Sequence, residues 1–154
     1  MKEHHYPLHI TWTGNRGEGT TSYTAYGREH RIEGKNKPTL EASADTPFQG
    51  DASKYNPEDL LVASLSACHM LWFLHLCADR GIVVVAYEDK PIGILTQEAH
   101  GSGQFKEVTL HPRVQITDAS QLNLLPDLHN LAGEKCFIAN SVRFPVHCES
   151  VALT

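Results

Sequence analysis

The strongest pattern in the sequence is a long apolar stretch near the middle of the chain. Asn56 before it is a good helix N-cap, Pro57 suits the first helical position, and Gly81 is a favoured residue after a helix C-terminus. We therefore predict a helix that begins at Pro57 and ends at Asp79 or Arg80. Its apolar residues occupy every face: Leu60, Leu61, Val62, Leu65, Met70, Leu71, Trp72, Phe73, Leu74 and Leu76. A helix that is apolar all round is surrounded by protein, which predicts a central helix.

The residues before this helix alternate or are rich in β-branched and aromatic types. Residues 8–12 alternate, residues 14–19 form a glycine-rich turn, and residues 20–26 resume the β pattern, which predicts a hairpin. A second pair of strands is expected at 30–33 and 39–43.

The residues after the helix predict three strands, a second helix and a last strand. The strands fall at 82–87, 92–99 and 105–116 with hairpin-type connections, the helix at 126–135 and the last strand at 146–152. Strands grouped in blocks are typical of an α+β fold with antiparallel sheets, and not of a doubly wound fold.

Composition and charge narrow the class of protein. A length of 154 residues, with 41% hydrophobic and 20% charged residues, predicts a single globular domain over residues 1–154. The net charge of -5 and the scattered basic residues argue against nucleic-acid binding.

The N-terminus lacks the apolar region of a secretory signal, and the four cysteines lack the spacing of a disulfide framework. We therefore expect a cytoplasmic protein, with the apolar segment buried and not spanning a membrane.

Cys68 is the first candidate for chemistry. It lies in the middle of the predicted helix, so the helix dipole alone cannot activate it. A buried cysteine is ordinarily inert, and a reactive one needs a nearby cation. Arg16 stands out because glycines on both sides of it let a loop approach a helix closely. The other candidate cations are Arg28, Arg31 and Arg80.

Two segments resemble the OsmC/Ohr family, named for osmotically induced protein C and organic hydroperoxide resistance protein. Residues 56–61 (NPEDLL) and 64–70 (SLSACHM) are similar to its NPE-x-L…A-x-x-A-C segment, and residues 134–142 (EKCFIANSV) fall where the family places its second cysteine. The predicted order of elements matches along essentially the whole chain. The resemblance implies an OsmC-like fold, with antiparallel β-sheets wrapped around a long central helix and a second helix in an intertwined homodimer.

The resemblance also implies roles for four residues. Cys68 matches the peroxidatic cysteine, Cys136 the resolving cysteine, and Glu58 a glutamate that orients an active-site arginine. Ohr-like members carry that arginine in a glycine-rich turn similar to the one holding Arg16. OsmC-like members carry it before an F-E-G segment, where this sequence has Pro47. We therefore assign the arginine to Arg16.

The function that the resemblance implies is a thiol-dependent peroxidase that reduces organic (alkyl or lipid) hydroperoxides to alcohols. Arg16 would favour the thiolate of Cys68, which would be oxidised to a sulfenic acid and then form a disulfide with Cys136. A dithiol donor would reopen the disulfide, and a lipoylated partner protein is one such donor. No bound cofactor and no metal is expected.

Helix geometry gives an independent argument for a dimer. Ten residues separate Glu58 from Cys68, which is roughly 15 Å of rise. In a straight helix, Glu58 therefore cannot serve Cys68 of the same chain. It could serve the cysteine of a partner subunit in a two-fold dimer, or Arg16 could bridge part of the gap.

The remaining cysteines and histidines favour structural roles. Cys77 follows Cys68 by nine residues and so lies about 180° around the helix, and we interpret it and Cys148 as packing residues. His69 and His75 lie on different helix faces, and the other histidines show no ligand spacing. No metal site is predicted.

Two departures from the family pattern keep a second class of function open. One is Pro47, and the other is Phe137, which replaces the proline common after the second cysteine in relatives and leaves a structural role open for Cys136. A chain with this fold could instead be a redox sensor, or bind a small molecule or lipid, without turnover.

Overall fold

The computed structural model describes residues 1–154, which form two compact units, Met1–Leu60 and Leu61–Thr154. The single domain over residues 1–154 stays a prediction. The α+β class is confirmed, with two helices and antiparallel or mixed sheets.

The first unit contains a three-stranded antiparallel sheet. Its strands are β1 (His9–Trp12), β2 (His30–Glu33) and β3 (Leu40–Ala42), in the order β1-β2-β3. Ile10 lies opposite Ile32 in the register of the first pair. A short 3-10 helix, Thr46–Phe48, follows β3.

The predicted strand at 20–26 is wrong, because these residues form turns and β1 pairs with β2 instead. The guanidinium of Arg28 donates hydrogen bonds to the backbone carbonyls of Tyr23 and Tyr26. It also lies over both tyrosine rings, 4.4 Å and 4.0 Å from their centroids. The side chain of Arg28 thus uses carbonyls that a strand would offer to its neighbour.

Helix α1 extends from Pro57 to Asp79, as predicted, and its N-terminus is capped. The Asp59 amide donates to the Asn56 side chain at 2.8 Å, and the Asn56 amide donates to the Asp59 carboxylate at 3.2 Å. This reciprocal arrangement is a capping box, which satisfies amides that have no partner within the helix.

The C-terminus of α1 is closed by a Schellman motif. Gly81 has φ +68°, its amide donates to the Ala78 carbonyl at 3.1 Å, and the Ile82 amide donates to the Cys77 carbonyl at 2.9 Å. The left-handed conformation explains why glycine ends the helix here.

The second unit holds two three-stranded sheets and helix α2 (Leu125–Lys135). One sheet has the order β4-β7-β9 and the other β5-β6-β8, each with one antiparallel and one parallel pair. The strands are β4 (Val84–Glu88), β5 (Ile92–Gln97), β6 (Gly103–Leu110), β7 (Arg113–Ile116), β8 (Val146–Cys148) and β9 (Val151–Leu153).

Three details of the sequence prediction for this unit are wrong. The expected strand 105–116 is two strands in different sheets, divided at Pro112, which has no amide hydrogen to donate to a ladder. The last strand, 146–152, is likewise divided into β8 and β9, which pair in parallel with β6 and β7. Strands β4 and β5 belong to different sheets, so the connection between them is not a hairpin.

Helix α1 buries one face and leaves another exposed. Leu65 packs with Val108 and Leu110, whereas Phe73 and Cys77 pack in a larger cluster with α2 and β7. The opposite face is exposed at positions four residues apart: Ala63, Ala67, Leu71 and His75. Within one chain the helix is therefore not covered on every side, and the prediction that protein surrounds it stays a prediction.

By length and composition α1 could cross a membrane. One such helix is weak evidence for a membrane span, because the core helix of a soluble protein can have the same length and composition.

Candidate active site

Two of the predicted site residues, Cys68 and Cys136, come together in the second unit. Cys68 lies half-buried in α1, and Cys136 is buried at the residue where the chain leaves α2. The Cys136 thiol lies beside Cys68, close enough for Cys68 to raise its pKa. The Ala139 amide donates to the Cys136 sulfur at 3.4 Å and helps to hold it in place. A thiol pair 68 residues apart in sequence is thus adjacent in the fold.

The local sequence explains how Cys136 reaches this position. The backbone of Cys136 is extended, with φ -66° and ψ 113°, and its amide donates to the Gly133 carbonyl at the end of α2. The 3-10 helix Ala139–Ser141 follows directly, and the Asn140 side chain donates to the Glu134 carbonyl at 2.8 Å. The cysteine is therefore held between two short hydrogen-bonded turns.

The environment keeps Cys136 protonated. Burial raises the pKa of its thiol to about 11, and the hydrogen bond to Cys68 acts in the same direction. At neutral pH Cys136 is thus a thiol that can donate its proton toward Cys68.

An open apolar groove of about 550 Å³ lies beside Cys68. The Trp72 and Phe137 rings meet edge to face in its wall, with centroids 5.8 Å apart. Phe137 is exposed, although it follows the buried Cys136 directly. The groove is lined by Ser64, Ala67, Cys68, Leu71, Trp72, His75 and Phe137. Its composition suits an alkyl group better than a charged or strongly polar one.

Arg16 and Glu58 belong to the first unit, and their predicted roles stay predictions. Arg16 is exposed in a loop in which Gly17 and Gly19 have positive φ values of 113° and 60°. The Asn15 side chain accepts hydrogen bonds from the amides of both glycines, at 2.9 Å and 3.1 Å, which fixes the shape of this loop. Glu58 is half-buried in the first turn of α1.

The other candidate cations are less suited to activate a thiol. Arg28 is held by two tyrosines, as described above, and Arg31 pairs with Glu41 at 2.8 Å. Arg80 follows Cys68 by twelve residues at the end of the helix, which is about 18 Å of rise. The assignment of Arg16 continues to rest on the family resemblance and stays a prediction.

A second cluster of side chains was missed in the sequence. His69, His129 and Cys148 come from α1, α2 and β8, and their side-chain donor atoms all lie within 4.8 Å of one another. His69 Nε2 lies 3.0 Å from His129 Nδ1 and 3.7 Å from Cys148 Sγ. Spacing along the chain could not reveal this cluster, because each member comes from a different element.

Burial lowers the pKa of both histidines in this cluster. The pKa of His129 falls to about 4, mainly through burial and partly through the neighbouring His69. Burial also lowers the pKa of His69, and the carboxylate of Asp89 opposes the effect. The rings are therefore neutral at pH 7.

We expect the chain, without any added metal ion, to lose stability as the pH falls from about 6.5 to about 4. An unfolded histidine titrates near 6.5, whereas folded His129 titrates at about 4. Between these values the unfolded state binds more protons, so the free energy of unfolding rises with pH and falls on acidification. Urea unfolding in EDTA at a series of pH values measures this slope.

Two variants test whether the buried histidines cause this slope of unfolding free energy against pH. His129→Gln should flatten it, whereas His4→Gln, at an exposed histidine near the N-terminus, should leave it unchanged. An identical slope in all three proteins would contradict the assignment.

Comparison with known proteins gives the family. The sequence model of the OsmC-like protein family matches residues 50–151. An OsmC-like protein of unknown function from Vibrio cholerae is 33% identical, with 97% of this chain and 100% of that chain covered and a TM-score of 0.86. No curated protein matches the sequence.

Two organic hydroperoxide resistance proteins share the fold at lower identity. The one from Elizabethkingia anophelis is 18% identical, with 99% of each chain covered and a TM-score of 0.68. The one from Legionella pneumophila is 17% identical, with 100% of each chain covered and a TM-score of 0.69. At these identities the likeness concerns the fold alone.

The α+β fold, shared with the Vibrio cholerae protein at a TM-score of 0.86, is OsmC-like. The chain belongs to the OsmC-like protein family, through the match over residues 50–151 and the 33% identical relative.

Proposed function

We propose that this protein is a thiol-dependent peroxidase that reduces organic hydroperoxides to alcohols. The observation that carries the proposal is that Cys68 lines an open apolar groove and has the thiol of Cys136 beside it. A half-buried cysteine with a second thiol beside it is the pairing that a peroxide-reducing thiol and its resolving thiol require. The names of the structural relatives from Elizabethkingia anophelis and Legionella pneumophila agree with this chemistry.

The reaction begins with the Cys68 thiolate. Its sulfur attacks the terminal oxygen of the hydroperoxide, the O–O bond breaks, and the alkoxide leaves and takes up a proton to become the alcohol. Cys68 is now a sulfenic acid. The Cys136 sulfur attacks the Cys68 sulfur, the hydroxyl group leaves with the Cys136 proton as water, and a disulfide forms.

The groove gives the expected substrate class. Leu71, Trp72 and Phe137 offer apolar surface beside Cys68, so the organic part of an alkyl or lipid hydroperoxide gains binding free energy that hydrogen peroxide cannot. We therefore expect organic hydroperoxides to have the lower KM.

In this proposal Arg16 stabilises the Cys68 thiolate and the charge that develops on the peroxide oxygens. Glu58 orients Arg16 through an ion pair. Both roles come from the family resemblance. They require Arg16 and Glu58 to meet Cys68, either in one chain or across a dimer.

The test is the consumption of tert-butyl hydroperoxide with dihydrolipoamide, a small analogue of a lipoylated donor protein. Sustained consumption over many equivalents per chain supports a peroxidase. Consumption of at most one equivalent with this donor and with other dithiols would contradict turnover. It would favour the alternative, a redox sensor or a protein that binds an apolar ligand in the groove.

Replacing Cys136 by serine is expected to stop turnover while leaving the first oxidation intact. Cys68 can still take one oxygen atom, but its sulfenic acid then has no neighbouring thiol to condense with. The variant should consume about one equivalent of peroxide and become labelled by dimedone, which reacts with sulfenic acids. Full turnover in Cys136→Ser would show that Cys136 is not the resolving thiol.

We also propose that the protein is a homodimer. Leu71 is 63% exposed on the apolar face of α1, and all four residues of β1 are exposed in the single chain. Apolar surface of this kind marks an interaction site, and a second copy of the chain is the occupant that the family resemblance implies. Leu71 also lines the groove beside Cys68, so in this proposal the second copy forms part of the wall of that groove.

Light scattering after gel filtration should give the mass of two chains. Leu71→Asp should shift the protein toward one chain, because an interface would then bury an unpaired carboxylate. Ser102→Asp, in an exposed turn, should have no effect. A monomeric wild-type protein would contradict the dimer.

A further inference from the structure

The cluster of His69, His129 and Cys148 is not used by the proposed peroxidase chemistry. Its members converge from three elements of the second unit, and two of them are buried. We propose that these three side chains bind one zinc ion, through His69 Nε2, His129 Nδ1 and Cys148 Sγ.

The separations of the donor atoms are close to those of a zinc site. Bonds of about 2.0–2.1 Å to nitrogen and 2.3 Å to sulfur put tetrahedral nitrogens roughly 3.3 Å apart, and nitrogen and sulfur about 3.6 Å apart. The nitrogens of His69 and His129 are 3.0 Å apart, and Cys148 Sγ is 3.7 Å from His69 Nε2. These two separations need a movement of only a few tenths of an ångström, and the third, between His129 Nδ1 and Cys148 Sγ, is no longer than 4.8 Å.

The protonation states favour a borderline-soft divalent cation. Zinc binds neutral imidazole, which is the form that burial enforces at His69 and His129. Burial raises the pKa of Cys148 to about 11, so zinc must displace a proton from this thiol. Binding therefore releases one proton and weakens as the pH falls.

Neighbouring groups supply the charge and hydrogen bonds that such an ion needs. The carboxylate of Asp89 lies close enough to His69 and Cys148 to raise the pKa of each. Its oxygens accept hydrogen bonds from the Ser66 hydroxyl and the His111 amide. One thiolate and one nearby carboxylate balance the two charges of zinc. The charge of the divalent cation is thereby neutralised.

Tyr87 gives an independent observation at the same place. Its hydroxyl is buried and has no hydrogen-bond partner in the protein. Burial is the main cause that raises the pKa of this hydroxyl, and the charges of Asp89 and Cys148 raise it further. The Tyr87 hydroxyl therefore lies near Asp89 and Cys148. A buried hydroxyl without a partner is costly, and it could donate to the Cys148 thiolate or to a ligand of the zinc ion.

The site keeps one coordination position for an outside ligand. A cavity of about 270 Å³ adjoins the three donors, and Asn130, Gly133 and Cys136 also line it. Three protein ligands with an open fourth position are typical of zinc sites that bind water or a small ligand. His147 borders the cavity too, but its ring faces Glu107 at 3.8 Å.

The competing role for these residues is a hydrogen bond between two neutral imidazoles. His69 and His129 are close enough for one ring to donate to the other. A proton and a zinc ion cannot occupy this position together. Metal binding therefore separates the two interpretations.

The experiment is a competition titration of the purified protein with Zn²⁺ against a chromophoric chelator, repeated with Co²⁺ while the absorption spectrum is recorded. We expect one tight equivalent in the wild type and a thiolate-to-cobalt charge-transfer band. Cys148→Ser should weaken binding of this equivalent by at least about a hundredfold and remove the band. Its fold is checked by circular dichroism.

Cys68→Ser is the matched control, because it removes a thiol outside the cluster. It should keep both the tight equivalent and the band while losing peroxidase turnover, so failure of the zinc site and failure of the proposed function are distinguishable. The paired His4 and His5 near the N-terminus can contribute only weak binding without a thiolate band. Equal affinity in wild type and Cys148→Ser, or a band that disappears only in Cys68→Ser, would overturn the proposal.

Discussion

Replacing Cys68 by serine is expected to lower kcat/KM for an alkyl hydroperoxide by at least about a thousandfold. The serine hydroxyl is not ionised at neutral pH and cannot be oxidised by a peroxide, so the first step has no nucleophile. Steady-state assays with tert-butyl hydroperoxide and dihydrolipoamide measure the effect.

The control for this variant is Cys77→Ala. Cys77 lies on the same helix, but it is buried in the core, and burial raises the pKa of its thiol to about 11. Cys77 lies outside the groove beside Cys68, so the activity of Cys77→Ala should stay within about twofold of the wild type. Comparable losses in both variants would mean that Cys68 has no special role.

Replacing Phe73 by alanine is expected to lower the free energy of unfolding by about 3–5 kcal/mol. Phe73 is fully buried in the largest hydrophobic cluster. Its ring stacks on His129 with centroids 3.9 Å apart, and it also packs against Tyr87 at 5.9 Å. Alanine would lose these contacts and leave a cavity beside α2.

Phe137→Ala is the matched control, because Phe137 is 68% exposed and leaves little cavity when truncated. Phe137→Ala should lower the free energy of unfolding by less than about 1 kcal/mol. Urea unfolding at one fixed protein concentration compares the two variants, since the stability of a dimer depends on concentration. A loss below about 1.5 kcal/mol for Phe73→Ala would contradict the packing described for this cluster.

Helix α1 was predictable from local sequence to within a residue. The reciprocal bonds of Asn56 and Asp59, and the left-handed conformation of Gly81, depend only on residues next to the helix ends. Local rules therefore predicted where the helix begins and ends. They did not predict which of its faces is covered, because α1 is apolar on every side.

Strand existence was easier to predict than strand pairing. The patterns at β1, β2 and β3 identified their positions, but the pairing of β1 with β2 depends on the turns that Arg28 and the tyrosines form between them. The parallel pairing of β8 with β6 joins residues far apart in the chain, which no local pattern specifies.

For the candidate site, the sequence by itself determined the helix that carries Cys68 and, through a resemblance to relatives, named Cys136 as its partner. Only the tertiary structure decided that these two thiols lie side by side and that His69, His129 and Cys148 form a second cluster. The physical reason is that helix ends and strand patterns depend on neighbouring residues, whereas a site depends on side chains that packing brings together from distant elements.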